Sequence, residues 1–435
     1  MKTRIENVTV LTCDKDQNTY FNSSITFEND TIIAINKDVG ADDIIDGQNG
    51  ILIPGFVNTH AHLSMIPFRS LQDDLYDRLR LYIFPLEKAT MNRNLTIAAA
   101  KVGAAESLLY GMTTVADMYY YTEDLAKLYE QMGLRAVVIQ TILDKDLCDA
   151  KDENEGFNLA KKLVLKWQNH PTIYPCIGPH ATTTVSVEML GKIRDFQKET
   201  NCRVSMHVSE MDYELEYFKK QNTTPVQFLE KMGLLNEHFI SAHTITANAK
   251  DIELLKKYDV GIAHCINANT KAAKGIAPLK EFVEAGIKVG FGTDGPGSGS
   301  HLDMFMQMNV AAKMHKNLNK DRALFPSIDL LSIACIGGAK VLGIDHLVGS
   351  LEVGKKADLV LIETQSVNMF PVHDPYATLV YSARANNVES VWVNGIQKVK
   401  NKKLVDFEIN DLLKEIKEQM KDFNRLEKEI SDSLK

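Results

Sequence analysis

The sequence predicts an α/β protein, a (β/α)8 TIM barrel with a small β-sandwich formed from both chain ends. Three observations predict it. Eight short apolar runs alternate with longer helical patterns through the middle of the chain. Nearly every run ends in a polar residue, as barrel strands do where their C-terminal ends form a mouth. Both chain ends read instead as short strands separated by turns.

The elements follow in order. VTVLT, SSITFEND and TIIAINKD give the first part of the sandwich, over 1–54. The eight barrel runs are 50–63, 112–119, 134–143, 172–180, 203–210, 239–245, 260–266 and 288–295. Each is short and rich in apolar or β-branched residues, as a strand buried on both faces must be. A helix is predicted over 185–200, capped from Thr182, Thr183 or Thr184. Another is predicted over 248–258, with Ile252, Leu254 and Leu255 inward. The barrel is expected to span 55–348, and 349–435 to return to the sandwich and end in a helix. That helix, at 407–433, shows an apolar stripe of Leu412, Leu413, Ile416, Met420, Phe423, Leu426 and Ile430, which predicts packing on the protein's own surface.

Composition narrows the function. The chain has 435 residues, with 49 basic and 57 acidic side chains and a net charge of −8. Mild acidity without a basic run argues against a nucleic-acid partner. No apolar stretch is long enough to span a membrane, and the opening MKTRIENVTVLTCDKD lacks the apolar core of a secretory signal. Six scattered cysteines with no CxxC pair read as reduced thiols. Together these predict a cytoplasmic enzyme acting on a small molecule.

The strand ends carry the chemistry. The first run ends in His60-Ala61-His62, the fourth at His180, and the fifth at His207 with Glu210 just beyond. The sixth carries His243, the seventh His264 and the eighth Asp294. His60 and His62 are two apart, so on a strand they share a face. With His207 and Asp294 at other strand ends they make a metal-ligand set. Three imidazoles and a carboxylate suit zinc, and by ligand type also iron(II) or nickel(II). Such a metal makes water nucleophilic near neutral pH. Glu210, in the turn after a ligand strand, can carry a proton to a substrate nitrogen. His243 can polarise the water. His264 reads as a structural histidine.

PGFVNTHAHLSM, HVSE, SAHTI and GTDG, in that order, resemble the amidohydrolase superfamily. The branch is that of cytosine and guanine deaminases, triazine hydrolases and 5-methylthioadenosine/S-adenosylhomocysteine deaminases. GIAPL, GSLEVGKKADLVLIE and MFPVHDP extend the resemblance over nearly the whole chain. It implies one divalent metal on His60, His62, His207 and Asp294. It implies Glu210 as proton shuttle, His243 as a group that helps polarise the water, and Asp294 as general base as well as ligand. It places Glu87 on ribose hydroxyls and His180 on a purine ring nitrogen. It also implies a homo-oligomer, by analogy alone.

The resemblance therefore implies a hydrolytic deaminase of an adenosine-like nucleoside or purine-like heterocycle. A guanine deaminase, or a hydrolase releasing chloride or an amine from a triazine, is the alternative on the same fold. A non-catalytic metal-binding scaffold is the remote one. Residues 136–169 carry no arginine and are rich in acid between Asp144 and Glu155. If that loop rims the pocket, it would repel a distal carboxylate and favour 5-methylthioadenosine, 5-deoxyadenosine or adenosine over S-adenosylhomocysteine.

Overall fold

The computed structural model describes residues 1–433. Two eight-stranded sheets organise it. Strands β1 (Lys2–Leu11), β2 (Thr19–Glu28), β3 (Thr31–Ile35) and β4 (Asp43–Pro54) come from the start of the chain. The barrel strands follow: β5 (Phe56–Ala61), β6 (Met112–Tyr119), β7 (Arg135–Ile142), β8 (Ile173–Pro179), β9 (Arg203–Val208), β10 (Phe239–His243), β11 (Gly261–His264) and β12 (Lys288–Phe291). Then come β13 (Leu359–Ile362), β14 (Val388–Val393), β15 (Ile396–Lys400) and β16 (Lys403–Leu404).

Strands β5 to β12 pair in sequence order, every neighbour parallel. Their side chains are buried along almost the whole length, as in β6 and β7, because the barrel fills one face and helices cover the other. The other sheet has the order β16-β15-β14-β13-β4-β1-β2-β3 and so joins the two chain ends. Strand β1 alternates buried and half-buried residues over most of its length, the signature of a sheet with one face less covered than the other.

The barrel closes between β5 and β12. Asp294 N donates to His60 O at 3.0 Å, and Ala61 bridges Asp294. Buried Asn58 clamps the same seam, accepting from Thr293 N at 3.0 Å and donating to Thr293 Oγ1 at 2.7 Å. Gly292 makes this approach possible: a Cβ there would lie 2.8 Å from Cys265 Sγ and 3.0 Å from His60 Cβ.

Three expectations need correction. The run 50–63 is two strands, because Gly55 turns the chain from the end sheet into the barrel, and a Cβ at Gly55 would overlap Thr113. The helix Val187–Thr200 is capped by Ser186, whose hydroxyl accepts from Met189 N, and not by the threonines before it. The tail is two helices, Ile409–Gln419 and Lys421–Ser433. Within the first of these Leu413 faces outward, while Leu412, Ile416 and Phe423 are buried. The tail packs on the barrel, with the Phe423 and Phe68 rings edge to face at 5.2 Å and Lys101 bonded to Glu415 at 2.6 Å.

One buried ion pair ties the two sheets. Arg135, at the start of β7, meets Asp358 with Nη2–Oδ1 3.1 Å and Nε–Oδ2 3.3 Å, and both are at most 2% exposed. Asp358 Oδ1 also accepts from Asn394 N at 2.8 Å. Removing one partner leaves a buried charge unpaired. Asp358→Ala is therefore expected to lower unfolding free energy by about 3–5 kcal/mol, with most of it recovered when Arg135→Met is added. Denaturant titration of the single and double variants checks this, and additive losses would contradict it.

Candidate active site

The parallel strands deliver their last residues to one cavity at the end of the barrel. His62, Glu87, His180, His207, Glu210, His243 and Asp294 line it. His60 lies beneath, fully buried, its ring 4.8 Å from those of His62 and His207 and 5.4 Å from that of His243. All eight residues singled out in the sequence thus meet at one end of the barrel.

The imidazoles are oriented by the strands next to them. His62 Nδ1 donates to Met118 O at 2.6 Å, and His207 Nδ1 donates to His180 O at 2.7 Å. A ring N–H facing a carbonyl fixes the tautomer and leaves each Nε2 with a lone pair. Those two Nε2 atoms are 3.4 Å apart, and His62 Nε2 is 3.3 Å from Asp294 Oδ1. Ligand atoms of His60, His62 and Asp294 lie within 4.8 Å of one another, as do those of His60, His207 and His243.

His60 tests whether a metal fits. Both of its ring nitrogens are buried without a hydrogen-bond partner, a deficit of about 1–3 kcal/mol per orphaned group. Burial first, and then the neighbouring His207, His62 and His243, hold this imidazole well below its ordinary pKa. His207 is held down in the same way, mainly by burial. Imidazoles converging with a carboxylate are the donors a divalent transition metal takes. His60, His62, His207 and Asp294 fit such an ion.

Two site residues sit on left-handed backbone, His243 at φ +67° and Asp294 at φ +59°. Each costs about 1–2 kcal/mol, and the tight turns after β10 and β12 hold them there. His243 Nδ1 is bonded to Asn269 Oδ1 at 2.8 Å, which leaves Nε2 3.7 Å from Glu210 Oε1. Burial raises the Glu210 carboxyl, but His243 and Lys274 outweigh it and keep it well below the usual range. Lys274 Nζ lies 2.5 Å from Glu210 Oε1.

The outer wall carries Glu87 and His180. Glu87 accepts from Tyr119 at 2.7 Å and Tyr120 at 3.5 Å, and burial raises its pKa against those bonds. His180 is pushed down to about 4, mainly by burial, and its Nδ1 meets Thr184 Oγ1 at 3.1 Å. Glu87 belongs to the segment braced by the tail: Tyr82 bonds Glu427, and Gln72 donates to Ser431 at 2.9 Å. His264 is not in the cavity wall. Its Nε2 meets His315 Nε2 at 3.1 Å in the protein interior.

The acidic rim is not what the structure builds. Asp149 takes Tyr121 N and Gln140, Asp152 caps the helix Glu153–Trp167, Glu153 binds Ser186, and Glu155 accepts from Lys151 N. An outer extension of the cavity is lined instead by Lys88, Lys145 and Asp146. Asp149, Asp152, Glu153 and Glu155 are bonded to backbone groups, while Asp146 stays on this extension beside Lys88 and Lys145, so the rim is of mixed charge rather than acidic.

Strand-end reasoning missed five groups. Asn269 lies in the short helix Ile266–Lys271 and Lys274 just beyond it, and neither carries a strand signal. Tyr119 and Tyr120 look like ordinary strand aromatics. Asp117 was legible as an acid inside the apolar run MTTVADMY: it accepts from Leu63 N at 2.7 Å and Tyr129 at 2.6 Å, fixing the turn after His62.

Fold and site define an α/β barrel with an imidazole–carboxylate cluster at its mouth. Residues 51–397 match the amidohydrolase family. Over 429 residues the chain is 33% identical to a 5-methylthioadenosine/S-adenosylhomocysteine deaminase of Thermoanaerobacter pseudethanolicus, covering 97% of this chain and 99% of that one. It is 35% identical over 415 residues to a 5'-deoxyadenosine deaminase of Methanobrevibacter smithii, covering 93% and 94%. A zinc-bound adenosine deaminase from Xanthomonas campestris superposes with a TM-score of 0.94 at 27% identity, covering 97% and 98%. An atrazine chlorohydrolase of Arthrobacter aurescens, at 22% identity, TM-score 0.88 and coverage of 96% and 100%, shares the fold. The chain belongs to the amidohydrolase family.

Glu214 supplies a pH test of the site's framework. It accepts from Glu210 N at 3.0 Å and is bonded by Thr182. Burial, against those bonds, lifts its carboxyl from 4.5 to about 7. A raised folded pKa means stability present below pH 4.5 and lost as pH rises through 7. Glu214→Gln cannot titrate, so wild type should lose roughly 3 kcal/mol more than the variant between pH 4 and 8. Unfolding free energies across that range check it, and equal slopes would contradict it.

Proposed function

We propose that this chain is a metal-dependent hydrolytic deaminase of adenosine-like nucleosides, releasing ammonia. The observation that carries the reading is Glu210. It is an ionised carboxylate in the cavity wall, beside His243 and within the imidazole–carboxylate cluster. Deamination of a ring needs that group, because the carbon bearing the amine takes up the attacking oxygen readily only as the adjacent ring nitrogen is protonated. The relatives named for 5-methylthioadenosine/S-adenosylhomocysteine and 5'-deoxyadenosine support the nucleoside class.

His60, His62, His207 and Asp294 would hold the metal. Zinc suits their chemistry, and the Xanthomonas enzyme carries it. The metal supplies Lewis acidity that makes water nucleophilic near neutral pH. The protein does the rest. Glu210 takes a proton from the attacking water and gives it to the ring nitrogen next to the carbon bearing the amine. His243, its Nδ1 held by Asn269, presents Nε2 to the water. Asp294 takes the second proton and passes it to the departing ammonia. Glu87 accepts ribose hydroxyls, and His180, held neutral, contacts the purine.

Glu210→Gln removes the proton carrier and keeps the shape. Turnover is expected to fall by about 10²–10⁴-fold with metal content unchanged. Ammonia release is measured across adenosine, 5-methylthioadenosine, 5'-deoxyadenosine, S-adenosylhomocysteine, guanine, cytosine and a triazine. Near-normal turnover of the variant, or a wild type active only on the triazine, would sink the reading.

A further inference from the structure

No step above uses the lysine at the cavity wall. Lys274 follows the short helix Ile266–Lys271 in the loop between β11 and β12. Its Nζ is 2.5 Å from Glu210 Oε1, with side-chain exposures of 14% and 12% for the two residues. Both line the cavity. It is the one ion pair Lys274 makes among the described residues.

The bond is asymmetric about the carboxylate. Lys274 holds Oε1, and His243 Nε2 approaches the same oxygen at 3.7 Å. Glu210 Oε2 accepts no hydrogen bond from the described residues. The main chain is fixed separately, through Glu210 N on Glu214 Oε2 at 3.0 Å. A glutamate has three side-chain torsions, so an anchored backbone alone does not place its carboxylate. One charge-assisted bond, shielded from water, does.

We propose that Lys274 is a positioning residue for Glu210: it pins one carboxylate oxygen so that the other carries the proton between water and ring nitrogen. The inference rests on the reading of Glu210 as the proton carrier. Lys274 itself transfers no proton. Its ammonium stays on Oε1 through the cycle while the proton travels on Oε2, so charge and protons balance without it. Proton transfer is steep in distance, and a misplacement of about 1 Å can cost about 10²-fold.

The test uses the metal-loaded full chain with 5-methylthioadenosine and whichever nucleoside it turns over fastest. Lys274→Met is expected to lower kcat by about 10²-fold with KM nearly unchanged, and with metal content and thermal midpoint preserved. Lys274→Arg, which keeps a charged donor, should restore most of kcat. Lys274→Gln should fall between them, and it serves if the methionine variant folds poorly. In a Glu210→Gln background Lys274→Met should change nothing further, because the group it places is gone. A kcat close to wild type in Lys274→Met, a loss carried by KM, or a full additional loss in the double variant each overturns the proposal while leaving Glu210 in its role. A wild type that deaminates no nucleoside overturns the functional reading and this inference with it.

Discussion

The seam between β5 and β12 is the constraint on which the site depends. A barrel of parallel strands has one place where the last strand must find the first, and here that place is His60 against Asp294. The backbone bond that closes the barrel joins two of the residues that would bind the metal. Asn58 and Thr293 lock the same register from inside, and Gly292 lets the strands approach. Closing the barrel therefore also brings His60 and Asp294 together. Metal binding in turn would answer the orphaned nitrogens of His60, which none of the described residues satisfies.

From that seam outward each layer orients the next. Carbonyls of β6 and of His180 set the His62 and His207 tautomers. Asn269 turns His243 so that Nε2 faces Glu210. Beyond these, the segment bearing Glu87 has no barrel strand to hold it. The tail helices, through Phe423 and Glu427, and Arg78, bonded to the carbonyls of Phe68, Leu71 and Gly297, hold it instead. The wall bearing Glu87 is thus held by side-chain contacts distant in the chain rather than by strand pairing.

Much of this was legible in the sequence because strand chemistry has a short period. HxH on a buried strand puts two imidazoles on one face whatever surrounds it, and histidines or acids at the ends of other strands must meet at the same mouth. What stayed hidden was set by contacts distant in the chain. Nothing near Lys274 announces that it reaches Glu210, 64 residues earlier. The acids between Asp144 and Glu155 looked like a charged rim because sequence shows charge but not its partner, and the structure turns most of them onto backbone amides. The switch at Gly55 was hidden for the opposite reason: two adjoining buried strands read as one apolar run. Among the described residues no helix is long and apolar enough to cross a membrane, as the hydropathy pattern predicts.

The central claim is that seam closure builds a site for one divalent metal from His60, His62, His207 and Asp294. X-ray absorption on the purified protein, with metal content measured on the same sample, tests it most directly. The account predicts about one equivalent of a transition metal with an imidazole-rich shell of nitrogen and oxygen donors and no sulfur. Bound metal should fall away in His60→Ala. A shell lacking imidazole scattering, or full metal content retained in His60→Ala, would contradict it.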